Sequence, residues 1–175
     1  MGEDEKKQIA EMVREAFEHN PRQMTPHVAD SLGITECEVV RYLPDGRSVE
    51  LDLGSWEEVF RSFEPLGDVF VIVNTGTVAI EAEGTFGGFS KSGPYFNVQS
   101  GSLDMHIRYD RLGAIFAVEK PSHMDGVSTL SFQFFEKTGR SAFKVFLSFG
   151  GSAPAPERRQ LFDDLRERFG LKGLV

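Results

Sequence analysis

The sequence predicts an α+β fold: one domain with a large antiparallel β-sheet of consecutive hairpins, preceded and followed by helices. Three observations indicate it. Apolar residues recur at helical spacing near both ends of the chain. Between these segments, short runs rich in β-branched and aromatic residues alternate with glycine-containing turns. Phenylalanine provides 16 of the 175 residues and suits the half-buried surface of a sheet. We divide the domain into an N-terminal helical cap (1–46), a sheet with one helix (47–153) and a C-terminal helix (154–175).

The sequence of the N-terminal cap predicts three helices. An amphipathic first segment ends at the sequence His19-Asn20-Pro21, because proline disfavours a continuing helix. Thr25 followed by Pro26 suits the N-cap and first position of a second helix. Thr35 and Glu38 have the spacing of a capping box, which predicts the start of a third helix.

The sheet region opens with a short predicted strand at 47–52 and one helix. Ser55 and Glu58 have the spacing of a second capping box. Later runs predict three long strands, at 114–120, 127–136 and 141–149. A charged amphipathic helix is predicted at 157–169.

Residues 69–74 and 77–82 flank Thr75-Gly76, which we interpret as a two-residue hairpin turn. That turn would place one set of apolar residues on a single face: Val69, Val71, Val73, Val78, Ile80 and Ala82. The opposite face carries Phe70 and Ile72 together with Asn74. Two large apolar side chains there need cover from a helix, a second subunit or a ligand.

A second hairpin groups polar side chains on one face. Residues 84–93 predict a loop, and strands at 94–99 and 102–108 flank Ser100-Gly101. A two-residue turn would set Tyr95 opposite His106 and Asn97 opposite Asp104, with Arg108 on the same face. This grouping suits haem, since it offers imidazole for iron, an aromatic ring beside the macrocycle and guanidinium for a propionate. An ordinary solvated sheet face is the alternative interpretation.

Composition excludes several classes of function. The net charge of -8 opposes binding to nucleic acid and to anionic membranes, and the single cysteine, Cys37, allows no intrachain disulfide. We find neither a signal peptide nor an apolar run long enough to span a membrane, so we expect a cytoplasmic protein. The four histidines lack paired metal-ligand spacing, and no nucleophile or phosphate-loop motif occurs. Residues 26–43 resemble a helix-turn-helix, but Glu36 and Glu38 favour a packed cap over DNA binding.

Residues 25–147 resemble the ChuX/HutX family of cytosolic haem-utilisation carriers, which is related in fold to the HemS proteins. The resemblance is carried by EVVRYLP (38–44), the hairpin leading into 73–75, PYFNVQSGSLDMHIRYDRLGAIFAVEK (94–120) and SFQFFEKTGRSAFKVFL (131–147). It implies a split antiparallel sheet with helical caps, a homodimer, and reversible binding of haem as cargo in the bacterial cytoplasm.

The resemblance also implies site residues. Two histidines are associated with haem in the family. His106 matches one of them and is the predicted iron ligand, whereas the other position is Asn74, whose neutral amide is a poor ligand. Five-coordinate iron, Tyr95 or His123 remain open as alternatives for the second side. We expect Tyr95, Arg108 and Asn74 to contact haem. Phe70 and Ile72 are candidates for apolar contact with haem or for a dimer interface, and we slightly favour the interface.

Three functions therefore stand at this point. The first is a non-enzymatic haem carrier with no catalytic residues. The second is a haem-degrading enzyme of the same fold, and the third is a non-catalytic dimer that binds another partner.

Overall fold

The computed structural model describes residues 1–172 and forms an α+β fold with five α-helices and nine strands in that range. The last three residues of the predicted C-terminal segment, 173–175, lie outside the described residues. The helices are α1 (Glu3–His19), α2 (Thr25–Leu32), α3 (Glu36–Arg41), α4 (Trp56–Ser62) and α5 (Pro156–Phe169). The strands are β1 (Ser48–Leu51), β2 (Asp68–Asn74), β3 (Ala79–Thr85), β4 (Phe89–Ser92), β5 (Tyr95–Gln99), β6 (Asp104–Arg108), β7 (Leu112–Pro121), β8 (Ser128–Glu136) and β9 (Ser141–Ser148).

The strands form two antiparallel sheets. Six of them pair in the order β1-β7-β8-β9-β2-β3, and the other three form a small sheet in the order β4-β5-β6. The predicted fold class is confirmed: a large antiparallel sheet lies between N-terminal helices and a C-terminal helix.

The six-stranded sheet buries apolar side chains on both faces. On its inner face, Ile115 and Ala117 join a core shared with α4, α5 and the small sheet. On its outer face, Phe116 and Val118 join a second core beneath α1, α2 and α3. Successive side chains of a strand point to opposite faces, so β7 contributes side chains to both cores. Its sequence is therefore a continuous apolar run.

The helix starts differ in how well the sequence predicted them. The capping box at α3 is confirmed, because the Thr35 hydroxyl accepts from the Glu38 N–H while the Glu38 carboxylate accepts from the Thr35 N–H. The predicted N-cap at Thr25 is wrong by one residue, since Thr25 is already helical and Met24 is the N-cap. The predicted capping box at Ser55 is also wrong, because its hydroxyl donates to the Asp52 carbonyl instead.

The first hairpin has a longer loop than the sequence predicts. Asn74 lies opposite Ala79, so residues 75–78 form the loop and the predicted two-residue turn is wrong. The loop closes on itself, because the Thr75 N–H donates to the Val78 carbonyl at 3.0 Å. The register moves by two residues, which leaves each remaining side chain on its predicted face. Val78 itself lies in the loop and is exposed.

The second hairpin shows the same difference. Tyr95 lies opposite Arg108 and Asn97 lies opposite His106, which corrects both predicted pairs. Residues 100–103 form the loop, and the Ser100 N–H donates to the Leu103 carbonyl at 2.8 Å. The predicted loop at 84–93 is also wrong, because it contains the end of β3 and all of β4.

Candidate functional site

The predicted site residues form two groups, separated by the six-stranded sheet. His106, Tyr95 and Arg108 lie on the small sheet, which covers the inner face. Phe70, Ile72 and Asn74 lie on the outer face of β2, whose inner face carries Val71 and Val73. The fold therefore brings three of these residues together on each side.

His106 projects from β6 into solvent and has a hydrogen-bond partner on β5. Its side chain is 55% exposed. Its Nδ1 lies 2.8 Å from Oδ1 of Asn97, the residue directly opposite in the register. Its Nε2 lies 3.5 Å from an Asp104 carboxylate oxygen. The imidazole is thus accessible, with one nitrogen held by a buried amide and the other facing outward.

Arg108 lies beside the exposed ring of Tyr95 but is already paired. Its guanidinium donates to Asp110 at 2.8 and 2.7 Å, and its central carbon lies 5.5 Å from the Tyr95 ring centroid. This pairing raises the pKa of Arg108 and lowers the pKa of the Asp110 carboxyl. A propionate that binds Arg108 must therefore compete with Asp110.

A cleft of about 420 Å³ separates the His106 strand from the inner face of the large sheet. His106, Arg108 and Arg111 contribute its polar wall. We call this the His106 cleft, and its other lining residues are Val73, Met105, Ile107, Leu112, Glu136, Ala142 and Phe143.

A second cavity, of about 140 Å³, lies on the outer face where the N-terminal helices leave the large sheet uncovered. Ile72 and Asn74 line it, and the ring of Phe70 stacks on Phe149 at its wall, 4.8 Å between centroids. We call this the sheet cavity, and the residues that it takes from other elements include Met24, Pro26, Lys120, His123, Gln133, Lys144 and Phe146.

The sheet cavity contains one partly buried lysine, Lys120, and one buried lysine, Lys144. Burial, and then the charges of Lys144 and Arg47, lower the pKa of the Lys120 amine to about 8. The positive charge of Lys144 is instead neutralised, because Lys144 forms an ion pair with Glu36 on α3. Gln133 is 3% exposed, and its Oε1 finds no hydrogen-bond partner within residues 1–172. Glu81 also lines the cavity. Within residues 1–172 the Lys120 amine forms no ion pair, so it is the group in this apolar cavity that an amphipathic anion can contact.

Sequence reasoning missed most of the sheet cavity. It named Ile72 and Asn74 and raised His123, but it did not single out Lys120 or Lys144. One signal was present: Lys144 interrupts the apolar strand pattern of Ala142-Phe143-Lys144-Val145-Phe146. A lysine on the buried side of a strand needs either a partner or a ligand.

Comparisons with known proteins agree with this fold. Residues 49–165 match the family described as haem utilisation ChuX/HutX. The chain belongs to this family. The expected resemblance is therefore confirmed over most of the sheet region and the C-terminal helix.

Individual relatives give the same result. The chain is 24% identical over 163 residues to the intracellular haem transport protein HutX of Vibrio cholerae, which covers 92% of this chain and 80% of HutX. It is 26% identical to the solved haem-binding protein ChuX, with a TM-score of 0.76 and coverage of 91% and 97%. The haem-degrading enzyme ChuS of Escherichia coli O157:H7 shares the fold, at 20% identity and a TM-score of 0.74. That match covers 92% of this chain but 46% of ChuS.

Two further findings concern residues 1–172. None of their helices has the length and apolarity needed to cross a membrane. They also contain no group of three or more histidine, cysteine, aspartate or glutamate side chains arranged to hold a metal ion.

Proposed function

We propose that this protein binds haem reversibly as cargo and carries it within the cytoplasm, with His106 as a ligand of the iron. The observation that carries the proposal is the exposed imidazole of His106 in a family defined by haem utilisation. Imidazole is a common axial ligand of haem iron. The names of HutX and ChuX support haem as the cargo.

The sheet cavity offers apolar contact and an amine to part of the haem molecule. Ile72, Phe146 and Phe149 provide apolar contact for the macrocycle, and the Lys120 amine provides positive charge for a propionate. Each Å² of apolar surface removed from water contributes roughly 25 cal/mol, so face contact can supply much of the affinity. A carrier that uses one iron bond and broad apolar contact can also release its cargo.

One haem can use both groups of residues if two copies of the chain share it. Within one chain the sheet lies between His106 and the sheet cavity. In a homodimer, His106 of one copy can lie over the sheet cavity of the other. Tyr95 and Arg108 would then flank the haem beside His106, while Asn74 and Phe70 would border it in the cavity.

Haem titration tests the ligand assignment. We expect His106→Ala to shift the Soret band and weaken haemin binding about tenfold or more, because the iron loses an axial ligand. His19→Ala is the matched control, since His19 is an exposed histidine at the end of α1, and it should bind as wild type does. Wild-type affinity and spectrum in His106→Ala would exclude His106 as the ligand.

Carriage is favoured over degradation because the named transport protein and the named binding protein match along most of their length, whereas ChuS matches over less than half. Loaded protein given a reductant and oxygen should keep its Soret band when catalase and superoxide dismutase are present. Loss of the band with formation of biliverdin-like products would identify an enzyme instead.

A further inference from the structure

We propose that Asn97 is a positioning residue for the iron ligand: it holds His106 as the Nδ1–H tautomer, so that the Nε2 lone pair is free to bind iron. This inference rests on the proposed function for its consequence in haem binding. The tautomer itself belongs to the protein without haem and can be tested separately.

The geometry that carries this inference is a row of three residues across the small sheet. Ser90 on β4, Asn97 on β5 and His106 on β6 lie directly opposite one another. The Asn97 Nδ2 group donates to the Ser90 hydroxyl at 3.1 Å, which turns the amide oxygen towards His106. That oxygen lies 2.8 Å from Nδ1 of the imidazole. Both polar atoms of the amide are therefore engaged.

The position of Asn97 makes the row rigid. Asn97 is 8% exposed and lies on the central strand of the small sheet, hydrogen-bonded on both sides. Its neighbours Phe96 and Val98 point the other way, into the main core. A side chain anchored in this way fixes the orientation of the group that it binds.

The chemistry of the amide decides the tautomer. A carbonyl oxygen only accepts hydrogen bonds, so the imidazole nitrogen facing it must carry the hydrogen. A neutral imidazole carries one ring hydrogen, which leaves Nε2 with its lone pair. The competing partner of Nε2 is Asp104, whose oxygen is 3.5 Å away and beyond a normal N–H···O distance.

The hydrogen bond also changes the strength of the iron bond. When a metal-bound histidine donates its other ring N–H to an acceptor, that hydrogen bond orients the ring and raises the basicity of the nitrogen that binds the metal. Loss of such a partner costs about 10- to 100-fold in metal affinity. Asn97 therefore acts on iron through His106 without touching haem.

Nitrogen NMR of the haem-free protein, at a pH where His106 is neutral, tests the tautomer directly. We expect wild type to show a protonated Nδ1 and an unprotonated Nε2. Asn97→Asp should keep this pattern, because a carboxylate also only accepts. Asn97→Leu should lose it, since leucine has no acceptor. A wild-type spectrum with the hydrogen on Nε2, or an unchanged pattern in Asn97→Leu, would overturn the inference.

Haem-loaded protein tests the consequence. We expect Asn97→Leu to bind ferric haem about tenfold or more weakly and to lower the Fe(II)–histidine stretching frequency. Asn97→Asp should restore or raise that frequency and lower the midpoint potential, as a stronger acceptor makes the imidazole more basic. Equal frequencies and potentials in wild type and Asn97→Leu would contradict a positioning role.

Two controls are needed. Circular dichroism separates misfolding from failure of this inference, and haemin titration of His106→Ala separates failure of the proposed function from it. Circular dichroism checks each fold, and Ser90→Ala provides a variant that frees the amide without altering Asn97. We expect it to reduce the preference for the Nδ1–H tautomer; an unaltered preference would contradict the anchoring role of Ser90. If His106→Ala binds haem as wild type does, the proposed function fails while the NMR result still decides the tautomer.

Discussion

Lys120 has a different protonation equilibrium in the folded chain than in the unfolded chain. Burial in the sheet cavity, and then the charges of Lys144 and Arg47, lower the pKa of its amine from 10.5 to about 8. Between these values the unfolded state holds the proton and the folded state releases it. The free energy of unfolding therefore rises with pH across this window, because the folded chain no longer carries a buried charge.

Replacement of Lys120 by methionine tests this pKa. From about pH 8 to about pH 10.5, we expect wild type to gain stability relative to Lys120→Met, on the order of 1 kcal/mol after solvent screening. Titrating groups that do not interact with Lys120 cancel in the comparison, since the two proteins share them. Urea unfolding of the haem-free proteins at several pH values measures the difference. Parallel stability curves would contradict the lowered pKa.

Single residues also show how far the sequence could predict the site. The alternation Leu103 to Arg108 is enough to place His106 on a polar strand face, and the structure agrees. It could not identify Lys120 or Lys144 as cavity residues. Glu36 is 108 positions from Lys144 in the sequence, and Arg47 is about 70 positions from Lys120. These residues approach the lysines only in the folded chain.

At the level of elements, a buried ion pair joins α3 to β9. Glu36 and Lys144 are each 11% exposed, and the Thr25 hydroxyl donates to the same Glu36 carboxylate at 2.6 Å. A buried pair can contribute little net stability, but removal of one partner leaves an uncompensated charge. The pair therefore fixes the position of the N-terminal helices beside the sheet cavity.

Glu36→Gln tests that role. We expect a loss of about 3 kcal/mol in the free energy of unfolding, because Lys144 stays buried without a negative partner. Glu58→Gln is the matched control: it breaks an exposed pair with Arg168 and should cost less than about 1 kcal/mol. Chemical denaturation measures both variants. Equal, small losses would show that Lys144 is not constrained by the pair.

The elements show a second limit of sequence prediction. Most strands were predicted within a few residues, yet both hairpin registers were wrong by two. Turn length depended on local bonds such as that from the Ser100 N–H to the Leu103 carbonyl, which the glycine pattern did not reveal. Because each register differed from the predicted one by two residues, an even number, every side chain stayed on its predicted face of the strand. The grouping of Tyr95, His106 and Arg108 is therefore retained. Strand β4, Phe89–Ser92, was missed because three of its four residues are polar.

At the scale of the whole molecule, the six-stranded sheet determines which haem arrangements are open. It places His106 on the side of its inner face and the sheet cavity, with the Lys120 amine, on its outer face. A chain acting alone can offer haem either the His106 imidazole on one side of the sheet or the apolar sheet cavity with its Lys120 amine on the other. Under the proposed function, a pair of chains would offer both to one haem, and each pair would then contain two equivalent sites.

A mixed dimer tests this account most directly. His106→Ala removes the ligand, and Lys120→Glu reverses the charge in the sheet cavity, so each variant alone should bind haem weakly. In a dimer of one chain of each kind, purified through two different tags, one site combines an intact cavity with an intact His106. We predict that this dimer binds one haem with the wild-type Soret band and affinity. A mixed dimer that binds no better than its two parents would contradict a site shared between two copies.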